Sequence, residues 1–247
     1  MLGKGCSDNV TPADPGSSVS GIWAVLPAAG RGMRFGGDIP KQYLEAAGQS
    51  LIAHALDALL AHPDVAGAVV ALAVGDARWP GWNTRLGKPV LRCDGGDQRA
   101  DSVFAALRVV PTTSCADPLV LVHDAARPNL HRADLDNLIA AAQGGADGAI
   151  LAAPVRDTLK RAAADARIDA TQPREHLWRA LTPQAFRLGI LIAALERAGV
   201  DGVVVTDEAM AMELTGARPR LVEGREDNLK VTTPADLALV DTLLRAR

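Results

Sequence analysis

The sequence predicts a three-layer α/β fold whose sheet is mostly parallel, and three observations lead there. Apolar residues come in short unbroken runs instead of alternating with polar ones, the mark of strands buried on both faces. Those runs alternate with segments of helical spacing. A glycine-rich stretch follows the first run directly, where open α/β sheets bind ligands.

The elements follow in order. Ile22-Trp-Ala-Val-Leu26 is the first strand, and Pro27 ends it. Ser50 caps a helix whose Leu51, Ile52, Ala55, Leu56, Leu59 and Leu60 share one stripe, with Pro63 just beyond. Ala66 to Val74, Pro89 to Cys93, Leu119 to Val122 and Gly148 to Ala153 read as the next four strands. Helical patterns fall at Ser102 to Val109 and Asp134 to Ala142. From Pro154 to Gln172 the chain turns polar, as a long hairpin arm or a loose loop would. It returns with Leu177 to Phe186, helices at Leu188 to Ala198 and Thr206 to Leu214, and a strand near Pro219 to Glu223. Thr233 as N-cap, Pro234 at the first helical position and Asp236 at the third signal a final helix. The expectation is one domain over residues 22–247 carrying an arm at about 154–172. Met1 to Gly21, rich in Gly, Ser, Pro and Asp and lacking an apolar segment, reads as a disordered extension and not a signal peptide.

Composition excludes several classes. Twenty-six Lys and Arg against 29 Asp and Glu leave a net charge of -3, with no basic field for a nucleic-acid backbone. The longest apolar run, Ala68 to Val74, is far short of the roughly 20 residues a membrane span needs. Cys6, Cys93 and Cys115 fit neither a disulfide framework nor a zinc site, so a reducing cytoplasm is expected. Only five residues are Lys (Lys4, Lys41, Lys88, Lys160, Lys230) against 21 Arg. In so Arg-rich a chain, each Lys marks a candidate site where a compact ammonium does what a planar guanidinium cannot.

Chemistry concentrates after the strands. In Pro27-Ala-Ala-Gly-Arg-Gly-Met-Arg-Phe35, Gly30 and Gly32 allow backbone N–H groups to approach phosphates, and Arg31, Arg34 and Lys41 add charge. Taken alone, two glycines make an ordinary turn. No G-x-x-x-x-G-K-[ST] exists, and Phe35 stands where a dinucleotide fingerprint needs its third glycine, which disfavours an NAD-dependent dehydrogenase. Leu119-Val-Leu-Val-His-Asp124 places a carboxylate at a strand's carboxyl end, expected to face solvent and ligand, where it suits Mg²⁺ or caps a turn. His123 reads as structural, having no nucleophile beside it in sequence. Gly95-Gly96-Asp97-Gln-Arg99-Ala-Asp-Ser102 lets backbone approach a flat base, though residues alone make it only a Gly-rich turn.

P-A-A-G-x-G-x-R with Pro40-Lys-Gln-Tyr43 resembles the opening of the sugar-phosphate nucleotidyltransferases. Within them the chain is similar to the 2-C-methyl-D-erythritol 4-phosphate cytidylyltransferase family of non-mevalonate isoprenoid synthesis. Asp94–Ser102, Val122–Pro128, Ala153–Thr158, Leu181-Thr-Pro-Gln184, Thr206-Asp-Glu208 and Val222–Val231 follow in the family's order, over residues 22 to about 245. The resemblance implies a Rossmann-like nucleotidyltransferase sheet with a dimerisation arm, and transfer of a cytidylyl group from CTP to a polyol phosphate with release of pyrophosphate. It assigns catalysis to Arg34, Lys41 and Lys230. CTP binding falls to Pro27, Ala28, Ala29, Gly30, Gly32, Lys41, Gly96, Asp97, Arg99, Ser102, Asp124 and Ala125. The polyol phosphate falls to Arg127, Thr158, Arg174, Thr206 and Lys230, with Thr158 and Arg174 reaching in from a second subunit of a homodimer. Mg²⁺ on Asp124 is the implied cofactor. Ribitol 5-phosphate as acceptor, and a nucleotide-binding module without chemistry, are the alternatives.

Overall fold

A computed structural model describes residues 21–30, 39–112, 117–145 and 147–247. Of the expected extension, Met1 to Gly21, all but Gly21 lies outside the described residues, as do Cys6 and Cys115.

Twelve strands and six α-helices are described: β1 (Ile22–Ala28), β2 (Glu45–Ala46), β3 (Gln49–Ser50), α1 (Leu51–Leu60), β4 (Val65–Leu72), β5 (Thr84–Arg85), β6 (Lys88–Asp94), α2 (Arg99–Leu107), β7 (Leu119–Val122), α3 (Arg132–Gln143), β8 (Ala149–Pro154), β9 (Leu159–Ala162), β10 (Ile168–Gln172), β11 (Trp178–Arg187), α4 (Leu188–Val200), α5 (Glu208–Leu214), β12 (Arg220–Glu223) and α6 (Pro234–Arg245). Eight strands form one sheet in the order β12-β8-β11-β7-β1-β4-β6-β5. β7, β1, β4 and β6 run parallel, as do β12 and β8. β11 lies antiparallel between β7 and β8, and β5 is an antiparallel edge.

Burial explains the unbroken apolar runs. In β1 and β4 successive side chains point to opposite faces, and both faces are covered. Ala24, Leu26, Ala68 and Val70 join the side that α1 and α3 cover; Trp23, Val25, Val69 and Ala71 join the side that α2, α4 and α5 cover. Spacing is tight at Gly67, where an added Cβ would lie 2.7 Å from the Trp23 ring and 2.8 Å from Pro89 O. Only glycine lets β4 pass this close to the indole that β1 carries.

Ser50 caps α1, accepting from Ala53 N, and Thr233 with Asp236 forms a capping box on α6. The next-to-last helix starts later than its pattern suggests. Asp207 is its cap, accepting from Met210 N, which leaves Thr206 outside α5. Among the described residues no helix is long and apolar enough to cross a membrane.

The polar excursion is an antiparallel hairpin, β9 against β10, outside the main sheet. No residue from Pro154 to Ala180 is buried.

Candidate active site

Because all strands of the eight-stranded sheet but β11 and β5 point one way, the loops leaving β1, β6, β7, β8 and β12 gather at one edge, and β11 enters from that same edge. The corner they form is built on Asp124. Two residues past β7, Asp124 is only 7% exposed, which corrects the expectation that it faces solvent. Its Oδ1 accepts from Arg99 Nε at 2.9 Å, its Oδ2 lies 2.8 Å from Lys230 Nζ, and Arg127 Nε stands 3.7 Å from Oδ2. Burial alone would raise the Asp124 carboxyl; Arg99, Lys230 and Arg127 more than reverse this and hold it well below the usual carboxylate range.

Each cation is itself held. Arg99 is the first residue of α2, and its terminal nitrogens donate to the two oxygens of Glu208, Nη1 to Oε1 at 2.7 Å and Nη2 to Oε2 at 3.1 Å. Glu208 is 1% exposed at the start of α5. Burial pushes its carboxyl up, opposed by the Arg99 fork. The α5 terminus is tied to β11 through Gln184, whose Nε2 donates to Asp207 Oδ2 and whose Oε1 accepts from Ala209 N. Arg127 donates from Nη1 to Asn228 O, 2.7 Å, while its buried Nε has no hydrogen-bond partner among the described residues. Asn228, fully buried, donates to Thr182 O, and Val231 N donates to Ala126 O, so Lys230 is pinned on both sides in sequence.

His123 is structural in this geometry, as expected. Its Nε2 is 2.9 Å from Arg127 O, which can only accept, so Nε2 carries the hydrogen. Nδ1 then accepts from the Thr182 hydroxyl at 2.9 Å, and that oxygen accepts from Asp124 N at 3.1 Å. Complete burial pushes the ring down to about 4, so it is neutral.

Around this corner stand the other expected residues. Gln42 is buried and donates to Ala28 O at 2.7 Å, which seats the turn Lys41–Tyr43 beside the end of β1. Pro27, Ala28, Ala29 and Gly30 run along that same edge. Gly32 and Arg34 lie outside the described residues. In the loop after β6, a Cβ on Gly95 would lie 2.5 Å from Ala29 Cβ, and one on Gly96 would lie 2.4 Å from Asp101 Cβ. These glycines let the loop pack against both the β1 edge and its own helix. Ser102, 2% exposed, turns its hydroxyl inward, accepting from Gly96 N at 3.2 Å, while Asp97 is exposed. Ala125 is buried next to Asp124. Thr206 is exposed at the mouth of α5. Thr158 and Arg174 lie exposed at the base of the arm, where Arg174 donates to Arg156 O. They are not brought to Asp124 by any hydrogen bond or ion pair described for them.

The residue types at this corner gave Asp124, Arg127 and Lys230, but not Glu208, Thr182 or Asn228. All three lay inside stretches with recognisable order, Thr206-Asp-Glu208, Leu181-Thr-Pro-Gln184 and Val222–Val231; their partners are up to 109 residues away.

Mg²⁺ on Asp124 does not fit this arrangement. Both carboxylate oxygens are engaged by cations. A dication placed there would meet three positive charges around one negative one.

Comparison with known proteins agrees with the fold. The family model for 2-C-methyl-D-erythritol 4-phosphate cytidylyltransferase (IspD) matches residues 22–246. The chain is 63% identical over 226 residues to the protein of that name from Stenotrophomonas maltophilia (strain K279a), covering 92% of this chain and 97% of that one. It is 64% identical over 217 residues to the one from Xanthomonas axonopodis pv. citri (strain 306), covering 88% and 82%. Among solved structures, a 4-diphosphocytidyl-2C-methyl-D-erythritol synthase superposes with TM-score 0.77 at 36% identity, over 91% of this chain and 99% of that one. The Francisella tularensis 2-C-methyl-D-erythritol 4-phosphate cytidylyltransferase does so with TM-score 0.77 at 32% identity, over 90% and 99%. With an α/β nucleotidyltransferase fold and a family match over residues 22–246, the chain belongs to the 2-C-methyl-D-erythritol 4-phosphate cytidylyltransferase family and is a cytidylyltransferase of isoprenoid biosynthesis.

Proposed function

We propose that the edge around Asp124 transfers the cytidylyl group of CTP to 2-C-methyl-D-erythritol 4-phosphate, giving 4-diphosphocytidyl-2-C-methyl-D-erythritol and pyrophosphate. The observation that carries this reading is the convergence of Lys230, Arg127 and Arg99 on one buried carboxylate beside the Lys41 turn. Two polyanionic substrates need such a set of fixed cations.

The acceptor's phosphate oxygen attacks the α-phosphorus of CTP, the new P–O bond forms, and the bond to the β-phosphate oxygen breaks. The electron pair leaves with pyrophosphate. A phosphate monoester is already largely ionised at neutral pH, its second pKa being roughly 6, so no general base is needed. His123, neutral and fully bonded, agrees with that. Catalysis is then in-line positioning and charge neutralisation in a site whose donors are fixed beforehand. Lys41, with Arg34 as the resemblance implies, faces the α-phosphate; Lys230 and Arg127 meet the acceptor's phosphate. Pro27 to Gly30 and the Gly95–Ser102 loop hold the nucleotide. Mg²⁺, the cofactor the resemblance implies, would neutralise charge on the phosphates of CTP.

The arm supports a homodimer. Ile168 is 67% exposed, and Leu177 and Trp178 on the returning strand are also exposed. A two-stranded ribbon with no buried side chain needs a partner surface. The same arm of a second subunit would cover these residues and carry Thr158 and Arg174 to the partner's site. Pyrophosphate release from CTP tests the assignment, with 2-C-methyl-D-erythritol 4-phosphate and ribitol 5-phosphate as acceptors. Release with the first, at least a hundred times faster, is expected; equal release with the second would reassign the acceptor, and none with either would remove the activity.

A further inference from the structure

We infer that Glu208 is a positioning residue for this reaction, acting through Arg99 and Asp124 to keep the Lys230 ammonium in place; the inference rests on the cytidylyl-transfer reading above.

The argument is one of donor geometry. A guanidinium presents five N–H groups on two kinds of edge, and its favoured pairing with a carboxylate is bidentate. In this corner two carboxylates compete for one guanidinium. Glu208 takes the outer fork, with Nη1 to Oε1 at 2.7 Å and Nη2 to Oε2 at 3.1 Å. Asp124 therefore receives only Nε, on Oδ1 at 2.9 Å. Its second oxygen is left for Lys230 at 2.8 Å. Glu208 is 1% exposed, so no solvent competes for the fork, and the Gln184 clamp on both sides of it fixes the start of α5. Neutralise Glu208 and the fork loses its anionic partner. The nearest remaining carboxylate is Asp124, and a bidentate Arg99–Asp124 pair would use the oxygen that now holds Lys230. Glu208 thus decides how Asp124 divides its two oxygens, although it is in direct contact only with Arg99 among these residues.

Thr206 lies two residues before Glu208, and Arg99 opens α2 directly after the glycine loop that leaves β6. The Arg99–Glu208 pair accordingly joins the loop assigned to the base and the turn assigned to the acceptor, segments 109 residues apart.

The test compares Glu208→Gln with Glu208→Asp, which keeps an anion for the fork, measuring kcat, KM for CTP and for 2-C-methyl-D-erythritol 4-phosphate, and thermal midpoint on the full-length enzyme. Native enzyme turning over both substrates is the control; its failure would defeat the cytidylyl-transfer reading and not this inference. In Glu208→Gln, kcat should fall about 30-fold or more with KM for CTP within about threefold, since Lys230 serves the acceptor. Glu208→Asp should show at least ten times the kcat of Glu208→Gln. An unchanged kcat in folded Glu208→Gln overturns the inference, and so does a Glu208→Asp variant no faster than Glu208→Gln. If Glu208→Gln does not fold, Glu208→Asp decides: a loss of kcat larger than the rise in KM for CTP supports the inference, and a loss of kcat no larger than that rise overturns it.

Discussion

The Asp124 corner and the β9–β10 arm stand at opposite limits of self-sufficiency. At the corner, five charged side chains from four parts of the chain are bonded to one another, and the two carboxylates at their centre, Asp124 and Glu208, are buried. On the arm, ion pairs such as Arg161 with Asp169 and Arg167 with Asp165 are exposed, and no side chain is buried. Charges wired together in a low-dielectric setting keep one arrangement without a ligand; exposed ones are screened and rearrange freely. The corner is therefore preorganised by its own chain, whereas Thr158 and Arg174 acquire a fixed place only when another surface holds the arm. Four perturbations break or sharpen that contrast.

The largest effect is expected from Asp124→Asn. Removing the charge leaves Arg99, Lys230 and Arg127 without their common anion, and breaking a buried ionic group costs about 3–5 kcal/mol. Stability should fall by that order and kcat by about a hundredfold or more. The pH dependence gives a sign. A carboxyl held below its unfolded value contributes stability that is fully present above about pH 4 and is lost as pH falls through its folded value. Denaturant midpoints of native and Asp124→Asn protein should thus differ by a constant amount from pH 5 to 8 and converge only in stronger acid. A solvent-facing carboxylate would give little loss of stability at any pH.

The arm is tested by exchange. Lys41→Ala and Arg174→Ala chains, each nearly inactive as homodimers, should regain activity on mixing if sites are completed in trans, because one site of each heterodimer then carries neither substitution. Recovery should approach one working site per heterodimer. No recovery with subunit exchange confirmed would mean that each arm serves its own chain.

How much of this contrast the sequence carried follows from what sequence patterns record. Periodicity reports burial, so the strands at Leu119 to Val122 and near Ala66 to Val74, the Ser50 and Thr233 caps, and the polar arm were legible. Direction and partner leave no such trace. That Trp178–Arg187 lies antiparallel between β7 and β8 is decided by its neighbours, and its exposed first residues and Pro183 give no continuous apolar run. Likewise Asp124 was legible as a strand-end carboxylate, but its burial was not, since the three cations that make burial tolerable lie up to 106 residues away along the chain. Glu208 looked like any acidic residue in a helix's first turn.

His123 sets a third, smaller effect on the corner's side. It is neutral and fully buried in the fold, pushed down to about 4, while an unfolded imidazole titrates near 6.5. The unfolded chain binds the extra proton between those values, so stability is lost as pH falls from about 6.5 to about 4, by about 3 kcal/mol in all. Urea midpoints across that interval should fall steeply in native protein and weakly in His123→Gln. This window lies above the one in which Asp124 protonates, so the two slopes are separable.

The smallest effect belongs to the arm. Arg161 Nε and Asp169 Oδ2 are 2.7 Å apart, with side chains 62% and 50% exposed. Geometry alone would rank this pair with Arg99 Nη1 and Glu208 Oε1, also at 2.7 Å. Exposure separates them. Water and salt screen the arm pair, and ordering two long side chains offsets what attraction remains, so exposed pairs contribute little. Arg161→Ala, Asp169→Ala and the double variant should melt together with the native protein, and the cycle should return no measurable coupling at moderate salt. The arm has no core of its own for such a pair to reinforce, and its order depends on the surface it meets. A clear coupling in an isolated chain, persisting at high salt, would mean that the hairpin is held from within and would erase the contrast with the Asp124 corner.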